Sequence, residues 1–107
     1  MKIRDILNAV LPMRKLMNLD LTAKDAYKVA RLSTKIEEEL NTFNKLVAAA
    51  KEKHRGNDEE LEKALDEIAD LETEQDIKYI EIQMPEGKLT AQDMLHLMPF
   101  VAFREDE

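Results

Sequence analysis

The 107-residue chain has no cysteine and no tryptophan, only 2 glycines and 3 prolines, and an aromatic content of 5%. Without cysteine there are no disulfide frameworks, zinc–thiolate sites or thiol nucleophiles, and the redox compartment is left unmarked. Two glycines are too few for a Gly-rich phosphate cradle. His-Glu-x-x-His, EF-hand and nucleophile-elbow patterns are also missing. No apolar run is long enough to span a bilayer. Charges in Met1-Lys2-Ile3-Arg4-Asp5, then Pro12, Arg14 and Lys15, interrupt any stretch of signal-peptide length, so an intracellular location is expected. The length leaves room for one core, and residues 1–107 are expected to form a single domain.

Charge is what the chain has in abundance: 36% of positions are charged, 44% are hydrophobic, and the net charge is −7. It is unevenly spread. Residues 1–55 carry 12 Lys/Arg against 7 Asp/Glu, whereas residues 56–107 carry 4 against 16. This asymmetry favours packing of one half on the other, or on the opposite half of a second chain. Net acidity argues against direct nucleic-acid binding and against anionic membranes, because phosphate contacts need a basic footprint.

The pattern reads as mainly α. Ile3, Ile6, Leu7, Val10, Met13, Leu16 and Met17 recur at helical spacing, and Pro12 inside that helix should kink it or split it. Leu21-Thr22-Ala23-Lys24-Asp25 is a helix start, with Thr22 as N-cap, Asp25 at N3 and Leu21 as the staple residue. The seam Ala26, Val29, Ser33, Ile36, Leu40, Phe43, Val47, Ala50 then alternates three and four, as in a coiled coil or helical hairpin. Gly56 ends this long helix after Lys51, Lys53, His54 and Arg55. Asn57 or Asp58 caps a third helix with the seam Leu61, Ala64, Leu65, Ile68, Leu71. The short loop between them predicts a long antiparallel helical hairpin.

The period then changes. Ile80, Ile82 and Met84 alternate with Tyr79, Glu81 and Gln83, which predicts one strand, stopped by Pro85-Glu86-Gly87. A lone strand cannot satisfy its backbone. Its partner is Met1–Arg4, the same strand of a second subunit, or a strand of another protein. Leu89-Thr90-Ala91-Gln92-Asp93 repeats the earlier cap and opens a short C-terminal helix that ends at Pro99.

Three stretches carry a resemblance: Asp5-Ile6-Leu7-Asn8-Ala9-Val10; Ala26-Tyr27-Lys28-Val29-Ala30 leading to Ile36-Glu37-Glu38-Glu39-Leu40; and an isoleucine strand followed by Leu-Thr-Ala-x-Asp-Met-Leu-x-Leu-x-Pro-Phe-Val, Leu89 to Val101. Together they resemble a family of small uncharacterised proteins encoded by tailed bacteriophages and prophages. Pro12 and the Gly-poor hairpin loop depart from that pattern. The resemblance implies a phage origin and a non-enzymatic role in the host bacterial cytoplasm or on the virion. It brings no catalytic residues and no cofactor.

Three surfaces are candidates for partners. The apolar end, Met94, Leu95, Leu97, Met98, Phe100, Val101 and Phe103, either closes the core or docks on another protein. The strand residues Tyr79, Ile80, Ile82 and Met84 offer backbone pairing. The acidic helix, with Glu62, Asp66, Glu67 and Asp70, is an ordinary solvated face or an imitation of a phosphate backbone. Glu62, Asp66 and Asp70 share one face and could in principle hold a hard cation, but without a loop or second ligand set no metal is expected. His54 suits a helix C-terminus, and His96 reads as a surface residue. The expectation is a non-enzymatic interaction module, dimeric or higher, that serves phage structure or assembly. The alternative is an inhibitor of a host enzyme or defence nuclease that acts through the acidic face.

Overall fold

A computed structural model describes residues 1–73 and 77–104. It is mainly helical: α1 (Ile3–Met17), α2 (Ala23–Lys53), α3 (Asp58–Ala69), β1 (Ile80–Gln83), α4 (Ala91–Leu97) and β2 (Val101–Arg104). Thr22 begins α2 by accepting a hydrogen bond from the Asp25 amide at 3.2 Å. Asn57 does the same for α3 from the Glu60 amide, also at 3.2 Å. Each cap satisfies a donor that the first helical turn cannot. Gly56 takes φ +80° in the turn between α2 and α3, a conformation that side chains other than glycine adopt only at a cost. α1 runs as a single helix across Pro12, whose ring is buried. No split occurs at this residue, because packing of the apolar face compensates for the missing N–H.

One core gathers α1, the first half of α2, β1, α4 and β2. Ile6, Met13, Leu16, Val29, Leu32, Ile36, Ile82, Leu97, Phe100 and Val101 are buried together there. The seam of α2 continues past this core but is covered less well: Leu40, Phe43 and Val47 are half-buried, and Leu46 is exposed. In α3 only Ala69 is buried, while Leu61, Ala64, Leu65 and Ile68 remain half-buried. α3 packs on α2, and the molecule measures 56 × 24 × 20 Å. The fold is thus a compact base with an arm made by the far half of α2 and by α3.

The strand expectation needs correction in number and in partner. There are two strands, and β1 pairs in parallel with β2 in the register Ile80↔Val101, Glu81↔Ala102, Ile82↔Phe103, Gln83↔Arg104. Met1–Arg4 is not the partner. Lys2 instead forms an isolated bridge with Glu72, supported by the Ile3 amide donating to the Leu71 carbonyl at 2.9 Å. A parallel pair needs a crossover of a dozen residues or more, and the stretch containing α4 supplies it. Val101 and Phe103 therefore belong to a strand rather than to an apolar tail.

Candidate functional site

The anticipated apolar end divides in two. Leu97, Phe100 and Val101 are buried in the core, and Met94 and Phe103 are half-buried. Leu95 and Met98 are 61% and 63% exposed, so they are what a partner can meet. The strand set divides likewise: Ile82 is buried, Ile80 is half-buried, and Tyr79 and Met84 are exposed.

Backbone groups of β1 are engaged on both sides of the strand. Even-numbered residues face β2, as the Ile80 amide shows by donating to the Phe100 carbonyl at 2.9 Å and the Met84 amide by donating to the Arg104 carbonyl at 2.8 Å. Odd-numbered residues face α2. There the buried Asp25 carboxylate accepts from the Gln83 amide at 3.0 Å, and the Lys28 ammonium donates to the Glu81 carbonyl at 3.0 Å. Two side chains of α2 thus stand where a third strand would, which blunts this edge against further pairing.

On the acidic helix, Glu62, Asp66 and Glu67 are exposed. Asp70 is held by Arg4, with the guanidinium at 3.2 and 3.3 Å from one carboxylate oxygen. Among the described residues no three His, Asp or Glu side chains converge as metal ligands would. No described helix is long and apolar enough to cross a membrane. His54 caps the end of α2. His96 lines a groove between α1 and α4 with Leu7, Leu11 and Pro12.

Asp93, which lines the same groove, is 7% exposed and accepts from the Thr90 amide at 2.9 Å and from the Lys15 ammonium at 3.0 Å. The Thr90 amide, and after it Lys15, hold the Asp93 carboxyl below its ordinary range. These bonds fix α4 against α1 and read as structural.

The feature that sequence reasoning missed is basic. A cleft between α2 and β1, about 190 Å³ in volume, is lined by Tyr27, Lys28, Arg31, Leu32, Lys35, Lys78 and Ile80. None of its four cations enters an ion pair among the described residues. Glu81, the nearest carboxylate on β1, turns to Arg104 at 3.4 Å, and Asp25 is engaged with the Gln83 amide. Arg31 lies 5.8 Å from the Tyr27 ring centroid and donates to its hydroxyl at 3.2 Å. Like charges three and four residues apart on a helix oppose its formation by a few tenths of a kcal/mol each. The signal was present in the spacing of Lys28, Arg31 and Lys35, but the net charge of −7 hid it. Comparison of the chain with known protein families, with curated proteins and with solved structures finds no match.

Proposed function

We propose that this protein is a non-enzymatic protein–protein interaction module of the phage type, serving as a structural or assembly accessory. The observation that supports this reading best is the arm. Of its apolar residues only the small Ala50 and Ala69 are buried, while Leu40, Phe43 and Val47 of the α2 seam, Leu46 beside it, and Leu61, Leu65 and Ile68 on α3 are all left partly or fully exposed. Read as an antiparallel hairpin, the arm offers an apolar line between the basic end of α2 and the acidic start of α3. A second copy, or another helical protein, would cover that line as in a four-helix bundle. The exposed Leu95 and Met98 on α4 extend the contact surface at the base.

The test is a pull-down of tagged protein from infected bacteria, with Leu46→Glu as comparison. Phage head or tail proteins recovered by the native chain, insensitive to salt and lost in the variant, are the expected result. Recovery of the same set by both chains would remove the arm from the interaction.

The second reading, inhibition of a host enzyme by imitation of a phosphate backbone, draws on one specific observation. Glu62, Asp66 and Glu67 are exposed and outside every ion pair found among the described residues. That reading expects a basic host nuclease or polymerase in the same pull-down. Its recovery should fall steeply as salt rises and vanish when Glu62, Asp66 and Asp70 are replaced by Lys.

A further inference from the structure

We propose that the cleft between α2 and β1 is a docking site for an acidic peptide segment that carries one apolar anchor residue. The inference rests on the interaction-module reading and names the chemistry of a partner for a surface distinct from the arm. Three features carry it. The floor is apolar, made by Leu32 and Ile80, and the cavity of about 190 Å³ has room for one group of benzene size. The rim is cationic, with Lys28, Arg31, Lys35 and Lys78 around that floor and no carboxylate among the described residues paired to any of them. The Tyr27 ring stands at the edge, 63% exposed, with the Arg31 guanidinium against it.

The layout of the cations selects the ligand. Lys28, Arg31 and Lys35 are strung along α2 over about 10 Å at the helical rise. Their anchor points are spread along the helix axis rather than gathered around one point. A line of charge is matched by a line of carboxylates along an extended chain, with an apolar side chain between them entering the floor. A nucleic-acid strand also presents a line of anions. The remaining surface of a chain with net charge −7 would repel its length, however, whereas a short peptide meets only the cleft. Because Lys28 also donates to the Glu81 carbonyl, this one cation of the rim is anchored to the sheet before a ligand arrives.

The probe is a fluorescein-labelled peptide, Glu-Asp-Leu-Glu-Asp, followed by anisotropy at low and moderate salt. Binding is expected, and it should weaken by about tenfold when the leucine of the peptide is replaced by glycine, because the anchor is lost. Arg31→Glu with Lys35→Glu should weaken it by at least about as much, with an unchanged circular-dichroism melt showing that the variant is folded. This pair avoids Lys28, whose bond to β1 is structural. Lys51→Glu and Leu46→Glu, both on the arm, should bind the peptide as the native chain does.

Absence of peptide binding, equal binding by the Arg31/Lys35 variant, or tighter binding of a single-stranded DNA oligonucleotide of matched charge would each overturn the proposal. So would displacement of the peptide by inorganic phosphate alone at comparable charge. Concentration-dependent self-association that disappears in the same variant would overturn the choice of occupant and assign the cleft to a second copy. None of these failures touches the arm, whose own test is the Leu46→Glu pull-down, so the two readings fall separately.

Discussion

The chain writes nearly the same helix start twice, Leu21-Thr22-Ala23-Lys24-Asp25 and Leu89-Thr90-Ala91-Gln92-Asp93, and uses it in two ways. The threonine does the same work in both, accepting from the amide three residues on at 3.2 and 3.0 Å. The leucines do too, each packing half-buried against the core. The aspartates part company. Asp93 turns back to the Thr90 amide and completes a reciprocal capping box, with Lys15 of α1 as a second partner. Asp25 turns away from its own helix and accepts from Gln83, 58 residues along the chain. The difference teaches that a local motif fixes where a helix begins. The nearest unsatisfied donor in the folded molecule then decides where a carboxylate beside it goes.

Substitutions can break this pair apart. The largest effect belongs to Asp25→Ala, which strands the Gln83 amide at the edge of β1 and should cost about 1–3 kcal/mol in urea denaturation. Lengthening the side chain comes next. Asp93→Glu also adds a methylene at a buried position, but it puts the usual capping-box residue there, which offsets part of that cost, and should cost less than about 1 kcal/mol. Asp25→Glu pushes an extra methylene into a buried contact and should cost about 1–2 kcal/mol. If both lengthened variants behave alike, the two aspartates are not distinguished as the structure distinguishes them.

Thr22→Ala and Thr90→Ala should each cost about 1 kcal/mol, with the loss at Thr90 concentrated in hydrogen exchange of α4. The smallest effect is in pH. The Asp93 carboxyl is held low first by the Thr90 amide and then by Lys15. Its contribution is therefore complete above the ordinary carboxylate range and is lost as pH falls below about 4. Asp93→Asn should flatten that part of the melting-temperature profile, whereas a profile as steep as the native one would locate the acid sensitivity elsewhere.

How much was legible in the sequence follows from the same distinction between local and distant causes. Helix starts at Thr22, Asn57 and Thr90 are written within four residues, and the seam of α2 from Val29 to Ile36 is written in its spacing. β1 was legible in its alternation. β2 was not, because Val101-Ala102-Phe103-Arg104 is four residues long, follows α4 after a turn of only three residues, and pairs with a segment twenty-one positions earlier. Its apolar side chains therefore read as a hydrophobic end that either closes the core or docks on a partner, and not as a strand, whereas Val101 is buried in the core. The cleft was hidden for a different reason. Lys78 joins Lys28, Arg31 and Lys35 only once β1 lies against α2, and no count of charge over half a chain anticipates that. Glu62, Asp66 and Glu67 lie exposed on α3, and Asp70 is its C-cap, where Arg4 had not been foreseen as its partner.

Because α2 is one uninterrupted helix of 31 residues, it fixes angle as well as distance between the two ends of the molecule. Whatever the arm grips is held at a set azimuth from whatever the cleft grips. Inserting a single residue between Lys35 and Leu40 would turn the far half of α2 by roughly 100° about the helix axis, against the Arg4–Asp70 and Ile3–Leu71 bonds that tie the end of α3 back to α1. Inserting seven would restore the direction to within about 20° but move the arm out by about 10 Å, so those bonds would survive only if α3 were lengthened to match. The helix is therefore a protractor more than a spacer, and changes in its length should be tolerated only in steps of seven that both helices of the arm share.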